Sequence, residues 1–305
     1  MTTWTRGEWG GGFARWEQDG TVYYSIAFTW LLDRAYDAAC GDRNLGKLVI
    51  VGGPALFLAK MSHKISEVAT VGGVFGWPDA IARHNPMATS FSYGCDVGCP
   101  HCIVPAMHGR KFTLVPDAPV RPVLCDNNLS ALPGEFQNHI IARYRAEGVP
   151  LLDANSGFEP RTFTEEVHRR WKSLLDDSYA PWRFGYDDMG DQEFVRPVFE
   201  MLRGVPSKRK RVYVLIGNEP YAECMERIYE TIGNGCEPHV QPEIKLVSWK
   251  REPWVRHDWD RQKLLDVARW TNGWVYKQCP RFEDYDRRKS KRRDDKYDAQ
   301  TGMFL

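Results

Sequence analysis

The sequence predicts an α/β protein, an open, six-stranded partial β/α barrel preceded by a small α/β lobe. Three observations predict it. From residue 88 onward, buried-strand patterns alternate with amphipathic helical ones, an order that gives a parallel sheet with right-handed crossovers. Each of these strands runs into polar residues, at the end where parallel β/α folds collect their reactive groups. Residues 88–245 hold six such strands, too few for the eight units of a closed barrel.

The elements follow in chain order. Residues 1–20 are rich in Gly and Trp without a period and read as a loose arm. VYYSIAFTW (22–30) is a β-branched and aromatic strand, LLDRAYDAAC a helix, and KLVIVGGP (47–54) a second strand closed by a Gly-Gly-Pro turn. Gly52-Gly53 reads as that turn; no nucleotide fingerprint or Gly-Lys-Ser/Thr follows to make it a phosphate loop. ATSFSY (88–93) opens the barrel. PVLCDNN (122–128), VPLLDANSG (149–157), WRFGYDD (182–188), RVYVLIGNEP (211–220) and PHVQPEIK (238–245) supply the other five strands. LPGEFQNHIIARYRAEG, FTEEVHRRWKSLLDDS, QEFVRPVFEMLRG and AECMERIYETIGNG are the helices between them, and QKLLDVARWTNGWVYK (262–277) closes the series. The expected boundaries are 1–87 for the lobe with its arm, 88–277 for the barrel and 278–305 for a basic, flexible tail.

Composition is that of an ordinary globular chain, with 43% apolar and 27% charged residues. Forty-one basic against forty acidic residues leave a formal charge of +1, so a polyanionic partner must be met by a local patch. No stretch approaches the roughly 18 apolar residues of a spanning helix, and no secretory signal pattern opens the chain. The expected setting is cytoplasmic, without a membrane. In a reducing compartment, clustered cysteines read as metal ligands or catalytic thiols.

That bears on FSYGCDVGCPHCIVPAMHGR (91–110), where Cys95, Cys99 and Cys102 fall within eight residues. A structural zinc site wants a fourth ligand, for which His101 or His108 would have to serve. A redox pair Cys99–Cys102 leaves Cys95 without a purpose. Incidental clustering of buried thiols suits a polar, glycine-rich stretch poorly. A [4Fe–4S] cluster held by three thiolates leaves one iron open to a small molecule, and Gly94 and Gly98 let the backbone bend around it. Cys40, Cys125, Cys224, Cys236 and Cys279 are scattered and read as ordinary thiols.

The C-x3-C-x2-C loop after the first barrel strand resembles the radical S-adenosylmethionine superfamily. The resemblance covers residues 20–277 and is firmest from 88 to 235. It implies that Cys95, Cys99 and Cys102 hold a [4Fe–4S] cluster and that S-adenosylmethionine, bound at the open iron, is cleaved to a 5′-deoxyadenosyl radical. His101 stands where many members carry an aromatic residue over the cluster. Asp126-Asn127-Asn128 replaces the usual Gly-Gly-Glu-like segment, a departure shared by a subgroup that reads DNN there; it would meet the cofactor's ammonium, although Asn and Asp also simply cap helices. Asn155 and Arg161 match an Asn-x-Gly-x-x-x-Arg segment of the same subgroup, and an Arg fork suits the cofactor carboxylate. Arg183, Tyr186 and Asp187, then Gly217-Asn218, are candidates for its ribose and adenine ends. A flavodoxin- or ferredoxin-type protein is the implied electron donor. The front lobe resembles a shortened cobalamin-binding-like domain without the Asp-x-His-x-x-Gly ligand signature, so no cobalamin is expected. No further cysteine trio occurs, so no auxiliary cluster is expected. CIVPAMHGR resembles the C-I-x-P-x-x-x-G-R run of methylthiotransferases, read here as shared scaffold.

Substrate class is inferred from two features. Residues 281–298 concentrate Arg and Lys with two tyrosines, though acidic residues dilute the field. Trp249, Trp254, Trp259, Trp270 and Trp274 lie near Lys250, Arg251, Arg256 and His257, a mixture that can stack and steer an unpaired base, or simply pack a closing helix. The expected substrate is a nucleotide or nucleic acid. The compact barrel resembles phage and bacterial proteins of thymidine hypermodification, which implies rearrangement of an amino-acid adduct on thymidine, in a host cytoplasm for a phage-encoded chain. The alternatives are a peptide-modifying enzyme and a methyl- or methylthio-transferring tRNA-modification enzyme.

Overall fold

A computed structural model describes residues 4–59, 64–72 and 77–287. The chain is mixed α/β and falls into two compact units. One comprises residues 4–127, 138–153 and 245–252; the other comprises 128–137, 154–244 and 253–287.

The first unit opens with a four-stranded sheet of β1 (Phe13–Gln18), β2 (Thr21–Ile26), β3 (Leu48–Gly52) and β4 (Thr70–Val71), in that order. β1 and β2 are antiparallel; β2, β3 and β4 are parallel. The supposed arm therefore contributes a strand. Its turn is Asp19-Gly20, both at positive φ (48° and 74°), the pair that matches a tight hairpin to strand twist. Helix α1 (Leu32–Asn44) lays Leu32, Ala35 and Ala39 on Val22, Tyr24, Val49 and Val51 to make the lobe's core. Two short helices, α2 (Pro54–Ala59) and α3 (Trp77–His84), lead to β5 (Ala88–Thr89) and β6 (Ser92–Tyr93). Next come α4 (Val104–His108), β7 (Thr113–Leu114) and β8 (Val123–Leu124). Helix α5 (Gly134–Glu147) leads to β9 (Asp153–Ala154), and the sheet order is β5–β8–β9 with β5 and β8 parallel.

In the second unit β10 (Trp182–Gly185), β11 (Lys210–Ile216) and β12 (Glu237–Pro242) form a parallel sheet in chain order. Helix α6 (Glu165–Ser178) precedes β10, α7 (Gln192–Met201) and α8 (Tyr221–Gly233) lie between the strands, and α9 (Arg261–Asn272) comes last. Thr164 and Asp260 cap α6 and α9 by accepting from Val167 N (3.3 Å) and Lys263 N (2.7 Å), which satisfies N–H groups the helices cannot. Along β11, Val212, Val214 and Ile216 are buried with Ile228, Leu264 and Val267, while Arg211, Tyr213 and Leu215 line the other face.

The strands foreseen from residue 88 onward are thus present but shorter, in two three-stranded sheets, β10–β11–β12 being parallel throughout and β5–β8 parallel in the other, and no closed barrel occurs among the described residues. Most of the basic tail, residues 288–305, lies outside the described residues. No described helix is long and apolar enough to cross a membrane.

Candidate active site

The cysteine loop is a hairpin insertion. β6 and β7 pair antiparallel, Ser92 with Leu114 and Tyr93 with Thr113, and the three cysteines lie between them. The loop leaves β6 at Gly94, whose φ is +102°; a Cβ there would stand 2.4 Å from the Lys111 carbonyl oxygen. Only glycine permits that closure. Cys95 N donates to Gly109 O (3.3 Å) and Cys102 N to Cys99 O (3.1 Å), so both ends of the trio sit on hydrogen-bonded backbone. A Cβ at Gly98 would lie 2.5 Å from the Arg110 guanidinium, so that cation rests against the loop. Tyr93 meets His108 edge-on at 5.4 Å, and burial lowers the pKa of His108 below its usual value. The three thiols are half-buried and no disulfide joins them. Among the described residues no three Cys, His, Asp or Glu side chains are gathered at metal-binding geometry. What fits an iron–sulfur group is the donor set, three soft thiols on one short tied loop.

Asp126 and Asn127 are laced to that loop. Asp126 is fully buried; its oxygens accept from Phe91 N (3.0 Å) and Ser92 Oγ (2.5 Å). Burial pushes its pKa up to about 7 against the pull of those donors. Asn127 Oδ1 accepts from Gly94 N (3.1 Å), one residue before the first cysteine. The second-strand motif therefore holds the strand and turn from which the cysteine loop departs.

The remaining predicted residues belong to the second unit. Buried Asn128 accepts from Ser130 Oγ (3.0 Å) and Ala131 N (3.2 Å), shaping the turn before α5. Asn155 follows β9 and is 3% exposed, and its Nδ2 and the neighbouring Ser156 Oγ are buried without a partner among the described residues. Orphaned buried donors are rare and costly; here they suit a polar ligand such as S-adenosylmethionine. Gly157 (φ +81°) brings the chain so close to β10 that a Cβ would lie 2.6 Å from Arg183 O.

Arg161 is engaged by protein carboxylates, Glu159 at 3.0 Å and Asp191. Burial raises the pKa of both acids. Asp191 in turn accepts from Asp187 N (3.0 Å), and Asn218 Nδ2 donates to Asp187 O (2.6 Å). Arg161, Asp187 and Asn218 are thus brought together in one hydrogen-bonded chain through Asp191, a residue the sequence reading did not single out. Arg183 is buried and donates to the Tyr213 hydroxyl, and His239 packs edge-on to Tyr213 at 5.2 Å. Burial, then Arg211 and Arg183, push His239 down to about 4, so its ring is neutral. Tyr213 and His239 were legible only as polar residues on the strand face opposite Val212 and Val214.

No family model matches the chain, and no solved structure matches it. Three curated proteins are similar to it, each a tRNA-2-methylthio-N(6)-dimethylallyladenosine synthase. The protein of Frankia alni is 29% identical over 182 residues, 52% of this chain and 36% of its own. That of Frankia casuarinae is 29% identical over 157 residues, 45% and 29% of the two chains. That of Mycobacterium leprae is 28% identical over 132 residues, 38% and 25%. The alignments span about a third or less of these relatives, and the chain is similar over that part to tRNA-modifying synthases.

Proposed function

We propose that the chain is a radical S-adenosylmethionine enzyme that modifies a base in RNA. One observation carries this reading: Cys95, Cys99 and Cys102 sit on a single tied hairpin loop, in a chain similar to tRNA methylthio-adenosine synthases. Those relatives are enzymes of [4Fe–4S] clusters and S-adenosylmethionine. When bound, that pair supplies a 5′-deoxyadenosyl radical, which removes hydrogen from substrate. The three cysteines are the proposed cluster ligands. Asp126 and Asn127 hold the loop in position, and the Asn155 amide has the strongest case for contacting the cofactor, since its buried donor meets no acceptor among the described residues. Asn128, Arg183, Asp187 and Asn218 complete the proposed cofactor set, with Arg161 released from Glu159 or Asp191 on binding. The electron comes from a flavodoxin- or ferredoxin-class protein. The partial barrel stays part of this reading, supported by the parallel pairing of β10 with β11, β11 with β12 and β5 with β8.

Base modification in tRNA has the support of three relatives; rearrangement of a thymidine adduct has none from them and gives way to it. The test is anaerobic reconstitution with iron and sulfide, then reduction in the presence of S-adenosylmethionine with bulk tRNA or a peptide mixture. The expected result is 5′-deoxyadenosine, with a new nucleoside mass in digested tRNA. An intact cluster without cofactor cleavage would leave a binding protein, and turnover with peptides alone would leave a peptide-modifying enzyme.

A further inference from the structure

The first unit carries an exposed segment that the proposed chemistry does not use. Residues 245–252 read Lys-Leu-Val-Ser-Trp-Lys-Arg-Glu, and all but Ser248 are exposed. Trp249 keeps 47% of its surface in water, Val247 48% and Leu246 39%. The segment is nevertheless ordered by hydrogen bonds. The Thr29 hydroxyl donates to Ser248 O (2.5 Å) and lies 3.3 Å from Ser248 N. The Ser248 hydroxyl donates to Lys250 O (2.6 Å), and Glu252 N donates to the same oxygen (2.9 Å). Trp249 is therefore held at the apex of a tied turn. Thr29 itself lies between Phe28 and Trp30, whose half-buried rings stack at 4.6 Å and 4°.

An indole on a fixed turn presents a flat π face at small entropic cost, and every base has a face to stack on it. Lys245, Lys250 and Arg251 are exposed along this segment, which itself carries one acid, Glu252, so basic side chains stand on both sides of the indole along the chain. Cations interleaved with an exposed aromatic match a phosphate backbone carrying an unstacked base; in a duplex the bases are already stacked and closed off. We propose that the turn at 245–252 is a docking platform for single-stranded RNA, with Trp249 as the stacking surface and Lys245, Lys250 and Arg251 as phosphate contacts. This rests on the RNA-modifying reading and narrows its substrate to an unpaired segment.

The test is fluorescence anisotropy of the anaerobically reconstituted protein with a short labelled single-stranded RNA and with the same sequence as a duplex. The single strand is expected to bind more tightly, and Trp249→Ala to weaken it by about tenfold. Replacing Lys250 and Arg251 together by Ala should reduce the slope of log affinity against log salt by about 1.4. Trp274→Ala removes a comparably exposed indole, 43% in water and also beside a lysine, and should leave binding unchanged. Equal binding of duplex and single strand, an unaffected Trp249→Ala, or equal loss with Trp274→Ala would overturn the proposal. 5′-Deoxyadenosine is read on the same samples. Its formation without RNA binding defeats the platform alone, whereas RNA binding that needs Trp249 without 5′-deoxyadenosine defeats the radical reading alone.

Discussion

Asp126 shows what a single side chain adds beyond its place in a motif. The sequence marks it as a polar residue at a strand end; that it is buried and spanned by Phe91 N and Ser92 Oγ depends on a neighbour 34 or more residues away. In the folded protein it keeps its proton up to about pH 7, whereas the unfolded chain releases it near pH 4. The raised folded pKa means stability is complete below about pH 4 and is lost as pH climbs to about 7, by up to roughly 4 kcal/mol for this group. Asp126→Asn keeps the shape and cannot ionise. Denaturant midpoints of parent and variant should therefore diverge between about pH 4 and 7, the variant gaining, and run parallel above about pH 8. Parallel midpoints throughout that window would contradict a buried, proton-holding Asp126. Arg161 makes the complementary point. Its motif is legible in one dimension, but Glu159 and Asp191, which hold it, come from a preceding loop residue and a later 3-10 turn.

At the scale of elements, periodicity was a good guide wherever one face was buried. The alternation of β11 and the helical pattern of α6, with its Thr164 cap, follow from residue order alone. The first hairpin was legible too, in Asp19-Gly20 between two strand-like runs, but the surrounding glycines and tryptophans masked it. The turn after β11 was only half legible. Gly217-Asn218 looked like a strand end, yet it is held from later elements: Arg256 donates to Gly217 O (3.1 Å), and fully buried Arg227 of α8 donates to Asn218 Oδ1 (3.4 Å) and Tyr186 O (2.6 Å) and pairs with the adjoining Glu219 (2.9 Å). Removing one partner of a buried pair leaves the other uncompensated. Arg227→Ala should thus cost about 3 kcal/mol in chemical denaturation. Lysine there keeps the charge but not the fork, so Arg227→Lys should recover only part of the loss. A loss below about 0.5 kcal/mol would mean the turn stands without the pair.

For the molecule as a whole, strand–helix alternation conveyed the α/β class and the order of the later strands, because each crossover buries its own apolar stripe. Composition was silent about the arrangement of the polar strand ends, since the chain linking Arg161, Asp191, Asp187 and Asn218 exists only after folding. The cysteine trio was readable as a donor set, because its three thiols fall within eight residues; the distant Asp126 and Asn127 that tie the base of its loop were not readable as such. The central claim is that this loop holds an iron–sulfur cluster, and iron and labile sulfide counted after anaerobic reconstitution test it most directly. The account predicts about four of each per chain, unchanged in Cys40→Ala and Cys279→Ala and largely lost in Cys95→Ala, Cys99→Ala and Cys102→Ala. Zinc in place of iron, or iron retained when any of those three thiols is removed, would contradict it.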